Sequence, residues 1–379
     1  MTALKKHTKH TSLTRPIGGE YHRNEWVIMG APCTEIDALV QELLPLLTPS
    51  LKVAYLNGDH TNDDVKPLNE ATYYDNGPHA QLNFGPTPKS KQSRKYFNQL
   101  DLVLMNGNYF VGDKQIVIIN EKKKESLSNK TDRLTQIKMI LIERSSDVIY
   151  DFILEKIEDE KSLKIFRLKE VEKIAAAILT NFEENIPPLY GLILSGGKSM
   201  RMGEDKGALD YRGMPHREYE ARLAKKFCNQ TFISCRKNQA ELIESRFKKL
   251  YDTFEGLGPY SGILSAFREH PDSAWLVLAC DYPLVDEEVL KQLVSSRDPK
   301  KLATCFYNPE TEHPEPLITI WEPRAYPVML EFLTQGYSCA RKVLINSEVE
   351  MIEMKDPTKL LNANDPADRE RGLQMLERD

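Results

Sequence analysis

The chain has 379 residues, 41% of them apolar and 28% charged, and a formal net charge of −5. This is the composition of a globular protein with an ordinary core, because disordered chains have fewer apolar residues and a larger charge imbalance. The acidic balance excludes a global basic field for nucleic acid or an anionic membrane. No apolar run reaches the roughly 20 residues of a membrane span, and the opening segment lacks the apolar core of a secretion signal. The expected location is cytoplasmic, with no nucleic-acid or membrane partner. The six cysteines are far apart, with no C-x-x-C pair, and read as reduced, mostly buried thiols.

At about 100–200 residues per domain the length suggests two or three domains. Residues 1–24 have no periodicity and read as a flexible basic tail. The apolar text WVIMGAP then gives a strand ending at Gly30, followed by a helical pattern from Asp37 and a second strand, KVAYLNGDH. Residues 61–99 are polar and rich in Asn, Asp, Gly and Pro, and are expected to form long loops. Further strands follow at DLVLMNGNYF, KQIVIIN and MILIER. The helix KEVEKIAAAILTNFEEN is stopped by Pro187-Pro188, because proline lacks the donor that a helix interior requires. The spacing therefore predicts one α/β domain over 25–186 and another over 187–379.

The segment Gly30-Ala-Pro-Cys-Thr-Glu-Ile-Asp37 stands where a phosphate-binding P-loop would, but the lysine is missing and Glu35 would repel a phosphate. Asn106 stands where an acidic residue would follow the later strand. The first domain is therefore not expected to hydrolyse a nucleotide.

The second domain opens with the strand LYGLILSGG. It continues with helix 216–228, strand TFISC, helices 237–248 and 261–269, strand AWLVLACD, helix 286–296 and strand LATCF. Alternation of this kind predicts parallel sheets covered by helices on both faces, so the fold class is α/β with two doubly wound units.

The most informative segment runs from Leu194 to Lys206. Glycines at 196, 197 and 203 let backbone N–H groups approach an anion, and Lys198, Arg201 and Lys206 can neutralise several phosphate charges. A triphosphate is the natural occupant. Asp281 lies just past the apolar strand WLVLAC, where ligands of open α/β sheets bind, and is placed to hold Mg²⁺ together with phosphate oxygens. The competing role of helix cap fits Asp286 better, because it directly precedes Glu-Glu-Val-Leu.

The string Leu194, Gly196, Gly197, Ser199, Arg201, Met202, Gly203, Asp205 and Lys206 resembles the signature loop of molybdenum cofactor guanylyltransferases. These are nucleotidyltransferases of the nucleotide-diphospho-sugar transferase type, with a Rossmann-like fold. The cytidylyltransferases of the same pathway usually carry L-A-A-G and lack the Asp before the Lys. Further matches follow in the family's order: Asp252 before Gly258-Pro259, then Cys280-Asp281-Tyr282-Pro283, then Asn362-Ala363-Asn364-Asp365-Pro366-Ala367-Asp368. They span about 190–379.

The resemblance implies that Leu194, Ser195, Gly196, Gly197, Lys206, Asp252 and Asp281 bind the nucleotide. It implies that Arg201, Lys206 and Asp281 are catalytic, that Asp281 holds Mg²⁺, and that Asn362 and Asn364 face the pterin. Asp252 as a solvated loop acid, and the two asparagines as turn formers, remain open on the residues alone. Arg236 stands where the family often has an Asn, and Ser195 where an Ala is usual.

The implied reaction transfers GMP from GTP to molybdopterin cofactor with release of pyrophosphate, and the implied partners are GTP, that cofactor and apo-molybdoenzymes. The alternatives are a cytidylyl- or sugar-1-phosphate nucleotidyltransferase of the same fold, and a non-catalytic molybdenum cofactor carrier. Residues 25–180 faintly resemble, in degenerate form, the P-loop adapter protein of the same pathway. An unrelated α/β domain is equally compatible with the text.

Overall fold

Alternation of buried strands with amphipathic helices builds two large sheets in the computed structural model, which describes residues 13–58, 72–75, 80–83, 90–144, 148–157, 159–195 and 205–377. The chain divides into two compact units, Ile17–Asn185 and the segment from Ile186 onward.

In the first unit β1 (Glu25–Met29) runs into Gly30, where φ is +89° and a Cβ would lie 2.4 Å from the Ile118 carbonyl oxygen. Glycine is required by both the dihedral and the close approach. Helix α1 (Cys33–Leu47) starts four residues before the expected Asp37 and buries Ile36, Leu39, Val40, Leu43 and Leu47 along one face. After β2 (Val53–Leu56) come the hairpin strands β3 (Thr72–Asp75) and β4 (Ala80–Asn83), then α2 (Ser90–Phe97), β5 (Leu102–Asn106) and β6 (Lys114–Ile119). The unit is completed by α3 (Lys124–Ser128), β7 (Gln136–Ile142), α4 (Asp151–Leu154), β8 (Lys164–Arg167) and α5 (Val171–Glu184). Six of these strands form a parallel sheet in the order β2-β5-β1-β6-β7-β8. Ile28, Leu104 and Ile118 pack with α1 and α5 on one face. Val27, Met29, Met105 and Ile119 pack with Leu127 and Ile153 on the other, as the two-residue period of a strand requires.

Two expectations change here. Residues 20–24, assigned to the tail, are fixed to the unit by Glu25: its buried carboxylate accepts hydrogen bonds from the backbone N–H groups of Glu20, Tyr21, His22 and Asp113. The Tyr21 ring also meets Phe97 and Phe110 edge-on. The stretch 61–99 holds a hairpin and α2 besides loops. Four-residue strands and a helix with little apolar content leave almost no periodicity to read.

The second unit contains β9 (Leu189–Leu194), α6 (His216–Lys225), β10 (Gln230–Cys235), β11 (Lys248–Tyr251), α7 (Pro259–Glu269), β12 (Ala274–Ala279) and α8 (Glu287–Ser295). It continues with β13 (Ala303–Asn308), β14 (His313–Trp321), α9 (Ala325–Thr334), α10 (Ala340–Ile345), β15 (Glu350–Glu353) and α11 (Pro366–Leu376). The sheet order is β11-β10-β9-β12-β14-β13-β15. β14 runs antiparallel to both of its neighbours, so this sheet is mixed rather than wholly parallel.

The helix expected over 237–248 is a single 3-10 turn, Ala240–Leu242, followed by β11. Ala240, Ile243, Phe247 and Leu250 recur at three- and four-residue intervals and imitate a helix face. They reach the core instead from a loop and from an edge strand paired with β10. The caps follow the sequence: Asp286 accepts from the Val289 N–H at the start of α8, and Asp365 from the Asp368 N–H at the start of α11. All six cysteines are free thiols, and Cys235, Cys280 and Cys305 are buried.

Strand order reverses between β9 and β12, which leaves a crevice at their carboxyl ends. The loop to Lys206 follows β9, and Asp281 follows β12.

Candidate nucleotide site

β9 ends at Leu194. Ser195 is buried, and its N–H donates to the Ser234 carbonyl on β10 at 3.1 Å. Gly196, Gly197 and Arg201 lie outside the described residues, which resume at Asp205. One oxygen of Asp205 accepts from the Gly207 N–H at 3.0 Å and caps the 3-10 turn Lys206–Ala208; the other accepts from Arg217 Nη2 at 2.5 Å. Arg217 Nη1 donates to Ser195 Oγ at 2.9 Å, so one buried guanidinium ties the two ends of the loop together. A Cβ at Gly207 would lie 2.7 Å from Ser195 Oγ and 3.1 Å from Arg217 Nε, so only glycine lets the turn lie flat on this pair. Sequence reasoning missed Arg217. Its one signal is a basic residue in the first turn of a helix, where cations are disfavoured.

Lys206, Asp281 and Asn364 come together. Lys206 Nζ lies 3.0 Å from Asp281 Oδ1 and donates to Asn364 Oδ1 at 3.2 Å. The Ala363 N–H donates to the Asp281 carbonyl at 2.7 Å, and the Asn364 N–H to Asp368 Oδ2 at 3.1 Å. The last segment of the chain is thereby stitched to the end of β12. Asn362 Oδ1 is buried without a hydrogen-bond partner among the described residues.

Beneath Asp281 lies a polar layer that the motifs did not announce. Cys280 Sγ donates to Glu220 Oε2 at 3.2 Å, and Glu220 Oε1 faces His216 Nε2 at 3.4 Å. Burial pushes the Glu220 carboxyl up to about 8, and burial with the Arg212 charge pushes His216 down to about 4. The pair is therefore uncharged near neutrality, with the acid holding the proton. Burial, with the nearby Glu315 charge, also raises the Tyr282 hydroxyl.

Asp252 is not part of this cluster. It follows β11, accepts from Ser234 Oγ at 2.6 Å, and has its carboxyl raised by burial against the pull of that hydrogen bond. β10 and β9 separate β11 from β12, so Asp252 lies along the same sheet edge about 14 Å away at roughly 4.8 Å per strand. Arg236 is exposed, with its backbone N–H on Gln239.

Among the described residues no three His, Cys, Asp or Glu side chains gather to hold a metal by themselves. No described helix is long and apolar enough to cross a membrane.

The second unit is similar to known proteins. The family described as "MobA-like NTP transferase domain" matches residues 191–351. The molybdenum cofactor biosynthesis bifunctional protein of Synechocystis sp. is 35% identical over 182 residues, covering 48% of this chain and 52% of that protein, so the match spans about half the length of that relative. The molybdenum cofactor guanylyltransferase of Pseudomonas putida is 29% identical over 184 residues, covering 48% of this chain and 95% of that protein. Among solved structures, molybdopterin-guanine dinucleotide biosynthesis protein A of Archaeoglobus fulgidus is 25% identical, with a TM-score of 0.44, covering 50% of this chain and all of that one. The similarity to the MobA-like NTP transferase domain family therefore covers residues 191–351, less than half of this chain.

Proposed function

We propose that the second unit transfers GMP from GTP to the terminal phosphate of molybdopterin cofactor and releases pyrophosphate. The observation that carries this reading is the junction of Lys206, Asp281 and Asn364, where a phosphate-loop lysine, a strand-end carboxylate and an amide of the C-terminal segment meet at the sheet's point of reversal.

An oxygen of the acceptor phosphate attacks the α-phosphorus of GTP, and the bond to the pyrophosphate oxygen breaks. No protein nucleophile is required, so the residues act by positioning and by neutralising charge. In this reading the backbone from Leu194 through Ser195, Gly196 and Gly197 approaches the nucleotide, Arg201 and Lys206 meet the phosphates, and Asp252 holds the nucleotide further along the edge. Asn362 and Asn364 face the acceptor; the orphaned Asn362 Oδ1 supports this, because a buried acceptor without a partner is costly unless a ligand supplies a donor.

The single, partly exposed carboxylate of Asp281 suits Mg²⁺, which takes its other ligands from water and substrate phosphates. When bound, Mg²⁺ would neutralise charge developing on the phosphate oxygens. Arg217 holds Ser195 and Asp205 in register so that the loop between them keeps its span.

The test is to incubate the purified protein and Mg²⁺ with each nucleoside triphosphate, with and without molybdopterin cofactor. Pyrophosphate release from GTP only when the cofactor is present is the expected result. Release from CTP, or with a sugar 1-phosphate as acceptor, would replace the reading by another nucleotidyl transfer. Recovery of apo-molybdoenzymes by the protein without any dependence on GTP would favour a carrier.

A further inference from the structure

The first unit contains a second concentration of charge that this function does not use. Its sheet reverses order at β1, and the carboxyl ends of β1 and β5 lie side by side. On the α1 face, the place for an anion is taken by the protein itself: the Glu35 carboxylate accepts from Asn120 Nδ2 at 2.6 Å and lies 3.5 Å from Lys122 Nζ.

The opposite face, which carries Met29, Met105 and Leu127, has a cleft lined by Gly30, Gly107, Asn108, Lys123, Lys130 and Arg133. Gly30 and Gly107 are among its lining residues, and the Gly107 N–H itself donates to the Ile28 carbonyl at 2.7 Å. The side chains of Lys123, Lys130 and Arg133 have no acidic partner among the described residues, whereas the neighbouring Lys122 and Lys124 are paired with Glu35 and Glu121. Glu125 and Asp132, two acids close in sequence, are both exposed. Three like charges around one cleft repel each other, and a protein of net charge −5 has ample carboxylates that could have offset them. A small dianion would satisfy all three at once, with charge-assisted hydrogen bonds from the guanidinium and two ammonium groups.

We propose that this cleft binds a phosphomonoester dianion. It includes Met29 and Leu127 of the face opposite α1 and shares no residue with the Lys206–Asp281 junction, so it stands or falls separately from guanylyl transfer. The cleft is local and the surrounding charge is acidic, which disfavours a polyanion such as nucleic acid.

Hydrogen exchange of the full-length protein tests this, with inorganic phosphate in one arm and ribose 5-phosphate in the other, at up to millimolar concentrations. Peptides covering 107–110 and 122–134 are expected to exchange more slowly with either probe, and the probe that protects at lower concentration identifies free phosphate or an esterified phosphate as the ligand. Peptides covering 205–217 report phosphate at the nucleotide loop as an internal reference. Lys130→Ala/Arg133→Ala should weaken the protection at least tenfold and leave the reference peptides unchanged. Lys123→Ala/Lys130→Ala, which alters side chains at the cleft mouth, should act in the same direction. Unchanged exchange at 107–110 and 122–134 with both probes, or protection that survives both double variants, would overturn the proposal.

Discussion

The Lys206 ammonium lies 3.0 Å from Asp281 Oδ1 and 3.2 Å from Asn364 Oδ1, so one cation serves a carboxylate and an amide drawn from distant parts of the chain. A divalent ion that uses Asp281 must compete with that ammonium. Lys206→Ala is therefore expected to tighten Mn²⁺ binding to the protein alone by about twofold to fivefold, the change for a partly exposed ion pair of roughly 1 kcal/mol or less. The same variant should weaken GTP binding more than it slows turnover of bound GTP, because phosphate contacts of this kind act before and after attack alike. Electron paramagnetic resonance of Mn²⁺ and calorimetry with GTP check the two halves; weaker Mn²⁺ binding would contradict the competition.

Asp281→Asn keeps the side-chain volume and removes the charge. Loss of one metal ligand should lower kcat for GMP transfer by about a hundredfold or more, since metal assistance contributes several kcal/mol to the barrier. The melting temperature should hardly change. Near-normal transfer at saturating Mg²⁺ would remove the metal role from Asp281.

Arg217→Lys tests the buried clamp. A single ammonium cannot reach both Asp205 and Ser195 as the guanidinium fork does, and a buried polar group left unpaired costs about 1–3 kcal/mol. The variant should unfold more easily by about that amount and bind GTP more weakly. Unchanged GTP affinity together with reduced stability would confine Arg217 to a folding role.

The Glu220–His216 pair gives the second unit a pH dependence with a definite sign. Folded Glu220 keeps its proton up to about pH 8 whereas an unfolded glutamate releases it near 4.5, so this residue's contribution is full below 4.5 and is lost as pH rises toward 8. Folded His216 stays neutral down to about pH 4 whereas unfolded histidine charges near 6.5, so its contribution is full above 6.5 and is lost as pH falls toward 4. The two oppose each other below 6.5 and leave a net decline between 6.5 and 8. Glu220→Gln should flatten the melting profile in that upper window. An equally steep decline in the variant would assign it to other groups.

Residues 187–379 expressed alone are expected to fold and to bind Mg·GTP, because every motif of the nucleotide site lies beyond Pro188. A folded, monodisperse fragment without calorimetric GTP binding would show that the site needs residues from the first unit.

Periodicity carried much of the architecture. The opening strand, α1 and α5 of the first unit, and β9, β10 and β12 of the second, announce themselves by apolar runs and repeats, and Asp286 and Asp365 announce the helices they cap. What stayed hidden depends on partners distant in sequence. β14 reads like any buried strand, and only its neighbours make it antiparallel. Ile243 and Leu250 satisfy a helical spacing from a loop and a strand. The Leu194–Lys206 loop was legible because glycine and cation spacing is a local property and points to a family. Arg217 and the Glu220–Cys280 layer were not, because their meaning lies in burial and in contacts across the fold.

The hydrogen bond from Lys206 to Asn364 joins residues 158 positions apart, and Ala363 closes on the backbone of Asp281. The crevice is therefore closed by residues that are synthesised well after the loop and Asp281. A nascent chain that has emerged only as far as α10 already contains the glycine-rich loop and Asp281 but lacks Asn364, the amide that Lys206 reaches. Translation itself sets the order in which this junction is assembled: Lys206 first, then Asp281, then Asn364.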